Sequence, residues 1–82
     1  MKKNQHYQIK DLVKKTGLTA DSIRFYEKKN LIEAPLRGEN NYRYYDHEAL
    51  KRLIFIKRCR ALDLSLKEIE TLIALEQQPQ QN

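Results

Sequence analysis

A chain of 82 residues, 40% of them hydrophobic, allows one domain with a modest core. Its net charge of +5 is unevenly spread: residues 1–60 hold 15 Lys and Arg against 7 Asp and Glu, and the remainder holds 1 against 4. No apolar stretch reaches membrane-spanning length, no apolar run follows the basic start as in a signal peptide, and the single cysteine, Cys59, excludes an internal disulfide, so the expectation is a cytoplasmic, non-membrane protein whose basic two-thirds either meets a polyanion or is simply well solvated.

Residues 1–6 (MKKNQH) read as a flexible N-terminus, and the alternation in YQI suggests a short strand starting at Tyr7. Ile9, Leu12 and Val13 mark a first helix that ends near Gly17, a residue suited to the left-handed turn that closes helices. The second helix opens at Thr19, whose hydroxyl can cap it. Stepping 100° per residue from Ile23 places Ala20, Tyr26, Glu27 and Asn30 within about 60° of the buried stripe. Arg24, Phe25, Lys28 and Lys29 fall on the other side with Asp21 and Ser22, which puts an aromatic ring among three cations on the outward face.

From Ile32 the pattern changes. Pro35 and Gly38 punctuate EAPLRGENNYRYYD, and GENN is turn chemistry between two extended arms, giving a hairpin of roughly 34–45. A third helix follows, capped by Asp46 and running to about Leu62. It shows two apolar faces, one with Leu50, Leu53, Ile54 and Ala61 and one with Phe55, Cys59 and Leu62; such a helix is either central in the fold or waiting for a partner, and in a domain this small an exposed second face is the favoured expectation. Ser65 to Glu68 forms a capping box that opens a fourth helix burying Leu66, Ile69, Leu72 and Ile73. Residues 76–82, Gln-rich with Pro79, read as a linker or truncated end.

Val13, Gly17 and Ile23 have the spacing of a helix-turn-helix: a packed first helix, a sharp turn and an anchor on the second. The hairpin beside it forms a wing, with Arg37 before the turn and Arg43 after it, both suited to phosphates or a narrow minor groove. Arg24 can reach a guanine edge or a phosphate, Lys28 can neutralise backbone charge, and Phe25 either contacts sugars or a thymine methyl or lies against the wing or first helix. Tyr26 and Tyr42 offer hydroxyls to phosphate oxygens, while Tyr44 and Tyr45 read as core edges. The fold class is mainly α: a winged helix-turn-helix with two further helices. An enzyme is disfavoured, because the sequence has no paired carboxylates, no Cys/His couple and no phosphate-cradling glycine loop. A winged-helix module that binds an acidic protein partner is the alternative.

Three segments, YQIKDLVKKTGLTADSIRFYEKKNLI, APLRGENNYRYYD and LKRLIFIKRCRALDLSLKEIETLIAL, together resemble the DNA-binding domain of MerR-family transcription regulators. The resemblance spans residues 7–75, taken as the domain. It implies a helix-borne DNA contact for Arg24, a backbone contact for Tyr26, wing contacts for Arg37, Tyr42 and Arg43, and a phosphate contact for Arg60. The candidate DNA-binding set is therefore Thr19, Ser22, Arg24, Phe25, Tyr26, Lys28, Arg37, Tyr42, Arg43 and Arg60. The resemblance also implies a bacterial homodimer on operator DNA, in a promoter with an overlong spacer. Distorting that DNA would let RNA polymerase see both promoter elements and activate transcription. FIKRCRALDLSLKEI, and Asn41 before YR, resemble the branch that senses cadmium, lead or zinc. Full-length relatives would bind such a divalent metal through cysteines, and would dimerise through a long helix, both expected beyond residue 82. The chain is thus expected to be a fragment ending ahead of the sensor half, with no cofactor of its own. Cys59, with no second thiolate and with His6 and His47 in other elements, is expected to be a small buried hydrophobe.

Overall fold

The computed structural model describes residues 6–33, 35–37 and 43–77, with the side chains of residues 36, 37, 43 and 77 outside that description. In chain order the elements are β1 (His6–Tyr7), α1 (Ile9–Thr16), α2 (Ala20–Lys28), β2 (Leu36–Arg37), β3 (Arg43–Asp46), α3 (His47–Ala61) and α4 (Leu66–Gln77). The arrangement is the expected mainly helical winged helix-turn-helix.

Local chemistry sets the helix ends. Asp11 Oδ2 accepts from the Gln8 amide at 3.0 Å and places a carboxylate in the first turn of α1, while Lys14 and Lys15 occupy its last turn; both ends complement the helix dipole. Gly17 closes α1 at φ +80°, its amide donating to Val13 O. Thr19 Oγ1 accepts from the Ser22 amide at 3.0 Å to open α2, and Asp46 Oδ1 does the same for Ala49 and α3. At α4 the capping box is reciprocal: the Ser65 amide donates to Glu68 Oε1 at 2.8 Å and the Glu68 amide to Ser65 Oγ at 3.1 Å.

The hairpin strands are antiparallel, with Leu36 opposite Tyr44 and Arg37 opposite Arg43. Its expected turn lies outside the described residues, as does Asn41. β3 also pairs on its other side with β1, His6 opposite Asp46 and Tyr7 opposite Tyr45. His6 is thus part of a strand and not of a loose start, because the Asp46 that caps α3 also ends the strand that β1 joins. The polar tail begins later than expected as well, since α4 continues to Gln77.

Each helix contributes to one core, in which Leu12, Ile23, Leu53, Ile56 and Ile69 are the largest fully buried side chains. Three expectations are corrected here. The second face of α3 is not exposed: Cys59 is 5% exposed, and Phe55 packs against the core. α3 is central, packing on β3, α1 and α4, so it buries more than one stripe; only Leu62 on that face is open. Ala61 is likewise exposed, past the point where neighbours surround the helix. On α4, Ile69 and Ile73 are buried, but Leu72 is 39% exposed and shares the outer surface with Leu75.

Candidate nucleic-acid interface

The turn between α1 and α2 is held from several directions. Thr16, 3% exposed, donates its hydroxyl to Leu12 O at 2.7 Å and accepts from the Leu18 amide at 3.1 Å. Lys57 of α3 donates to Thr16 O, which satisfies a carbonyl at the open end of α1. Beyond α2, Asn30 adopts φ +63°, and Arg52 Nη1 donates to Leu31 O at 3.0 Å. α3 therefore grips the helix-turn-helix at both the turn and the exit. Nothing in the sequence flagged Thr16, Arg52 or Lys57, because the two α3 contacts join residues 21 and 41 positions apart.

This scaffold fixes which face of α2 reaches outward. Ile23 is fully buried and Tyr26 only 8% exposed, whereas Phe25 is 45% exposed and Arg24, Lys28 and Lys29 stand open. Phe25 lies edge-on to the Tyr26 ring at 5.6 Å, with Lys29 Nζ 5.7 Å from its own centroid. An exposed ring under a cation keeps an apolar contact surface inside a positive field. Arg24 Nη1 stands 3.7 Å from Asp21 Oδ1, with the side chains 56% and 99% exposed. Asp21, Arg24, Phe25, Glu27 and Lys28 line one shallow open groove along this face.

The other candidates take different positions. Thr19 and Ser22 join their hydroxyls, Thr19 Oγ1 donating to Ser22 Oγ at 3.0 Å, at the start of the reading face. Tyr26 is part of the core and 8% exposed, which leaves little of it for an outside partner. Tyr45 is buried and donates to Glu27 Oε1 at 2.9 Å, tying the base of the wing to α2, and Tyr44 is half-buried, 5.9 Å from the His6 ring. Arg37 and Arg43 face each other across the hairpin backbone, their side chains outside the described residues, and Tyr42 lies outside them altogether. Arg60, exposed on α3, reaches Leu64 O at 3.4 Å.

A metal centre does not fit the described residues. None of them forms a group of three or more His, Cys, Asp or Glu side chains placed to hold an ion, and Cys59 is in the core. No described helix is long and apolar enough to cross a membrane.

Residues 7–76 match the family described as MerR HTH family regulatory protein. An HTH-type transcriptional regulator ZntR homolog of Haemophilus influenzae is 48% identical over 69 residues, covering 84% of this chain and 51% of the relative. The HTH-type transcriptional regulator CueR of Salmonella typhi is 42% identical over 74 residues, covering 90% of this chain and 54% of the relative. The chain thus spans about half the length of these curated relatives. Among solved structures, the transcription regulator PbrR691 of Ralstonia metallidurans CH34, in complex with lead(II), superposes with a TM-score of 0.80 at 42% identity, covering 93% of this chain and 59% of that one. HiNmlR, a MerR family regulator lacking the sensor domain and bound to promoter DNA, superposes with a TM-score of 0.78 at 25% identity, over 88% of this chain and 55% of that one.

Proposed function

The chain belongs to the MerR family of HTH regulatory proteins, and from that premise we propose that residues 7–75 are the promoter-binding module of a metal-responsive transcription activator. The observation that carries this reading is the split of α2: Ile23 and Tyr26 anchor it in the core, while Arg24, Phe25, Lys28 and Lys29 stand outward. A helix held this way can enter a major groove, where Arg24 reads a guanine edge and Lys28 neutralises phosphate. Thr19 and Ser22 meet the backbone at the helix start, and the small exposed part of Tyr26 adds to them. Arg37, Tyr42 and Arg43 of the wing and Arg60 of α3 engage flanking phosphates.

Two such modules, joined as a homodimer, sit on a pseudo-palindrome. Effector binding then distorts the overlong spacer so that RNA polymerase meets both promoter elements. Contacts from helix and wing offset the elastic cost of that distortion. The effector is a soft divalent metal of the cadmium, lead or zinc class, a reading supported by the similarity to a regulator solved with lead(II). Among the described residues, no group of three or more His, Cys, Asp or Glu side chains is placed to hold it.

Fluorescence anisotropy on overlong-spacer promoter DNA across a salt series tests the reading. Arg24→Ala should weaken specific binding by about 1–3 kcal/mol, while Arg43→Ala should weaken all duplexes alike and reduce the log–log salt slope by about 1. Unchanged, salt-dependent binding in both variants would overturn the assigned roles. Wild-type protein without any salt-dependent binding would favour an acidic protein partner.

A further inference from the structure

We propose that Asp21 is a specificity residue of the reading face: its carboxylate accepts a hydrogen bond from the exocyclic amino group of a cytosine in the major groove, and its charge disfavours DNA that offers no such donor. This rests on α2 being the recognition helix.

Asp21 is in the first turn of α2, the part of a recognition helix that approaches base edges. Its side chain is 99% exposed and lines the same groove as Arg24, Phe25 and Lys28. At 3.7 Å, the pairing with Arg24 is longer than a hydrogen bond, so the carboxylate retains its acceptor capacity. A carboxylate on a DNA-facing surface has few acceptable neighbours. Phosphates repel it, as do the acceptors of guanine and the O4 of thymine. Adenine presents an amino donor, but beside the N7 acceptor, which faces the second carboxylate oxygen. Cytosine N4 is a donor with no acceptor next to it on the same base. Asp21 and Arg24, three residues apart on one face, thus form a donor-and-acceptor pair suited to a cytosine next to the guanine that Arg24 reads.

Asp21 also complements the α2 dipole, a role that is independent of DNA sequence. Selection from random-sequence duplexes separates the two. Wild-type, Asp21→Ala and Asp21→Asn chains are each used to recover bound duplexes. Affinities are then measured by anisotropy on the recovered sequence and on its cytosine-to-thymine variant. The wild-type chain should prefer cytosine at one position by on the order of tenfold. Asp21→Ala should lose that preference and bind random duplex a few-fold more tightly through the removed negative charge. Asp21→Asn should move the preference toward adenine, whose N6 and N7 match an amide. The inference is overturned by a wild-type motif with no required cytosine, or by a cytosine preference that survives in Asp21→Ala. A wild-type selection that enriches no motif would sink the reading of function itself, and this one with it.

Discussion

Position 17 tolerates a side chain poorly, for two separate reasons. Its φ of +80° is a region that non-glycine residues enter at about 1–2 kcal/mol, and a Cβ there would stand 3.0 Å from Lys57 Nζ. The ammonium is the far end of a flexible chain, so it would move aside and leave Thr16 O without its donor. Gly17→Ala should therefore lower stability by roughly 1–2 kcal/mol in urea denaturation. An unchanged midpoint would mean that the turn relaxes freely. Glycine at this place was legible because a turn must follow an apolar helix, whereas the lysine that closes over it was not. The same division runs through the reading face. Helical phase alone separated Ile23 and Tyr26 from Arg24, Phe25 and Lys28, and the structure keeps that split. The hydroxyl and the resemblance both point Tyr26 toward DNA, while the helical phase points it toward the core; its ring is in the core and only 8% of the residue remains at the surface.

Helices here are defined at their starts by side chains that the sequence displays openly. Thr19, Asp46 and Ser65 each accept from an otherwise unpaired amide, and each was readable before any contact was known. Asp46→Ala removes the cap of the central helix and should destabilise the chain by about 1 kcal/mol, measured as a lower thermal midpoint with an unchanged helical spectrum when folded. A midpoint equal to that of wild type would show that the amide finds another acceptor. Faces were harder to read than ends. On α3, Leu53, Ile56 and Cys59 recur every three residues, so the buried surface turns around the helix instead of following one stripe. That winding is a property of a helix with neighbours on several sides, and periodicity assumes only one. Leu72 of α4 shows the opposite case, an apolar residue at correct spacing on a helix with too few neighbours to cover it. The pairing of β1 with β3 was also hidden, since a two-residue strand has no pattern by which to recognise its partner.

At the scale of the whole molecule, the division of charge follows the division of labour. The basic residues belong mainly to the helix-turn-helix, the wing and α3, and the acidic excess lies in the region of α4. Composition could point to a polyanion but not to a groove; the groove needed α2 to be held by α3 through Arg52 and Lys57, which are contacts across long stretches of chain. The position of Cys59 has a use of its own. It is the single thiol of the chain and it is buried in the one core that all four helices share. A thiol reagent can reach it only when that core opens, so its labelling rate, relative to the rate in urea, measures the opening equilibrium. Labelling should be at least about a thousandfold slower in the native chain than in the unfolded one. Equal rates would place the sulfur at the surface. Duplex that binds only the closed form should slow labelling further, in proportion to 1 + [DNA]/Kd. One sulfur atom therefore lets affinity and stability be timed on the same clock, with no dye attached to either partner.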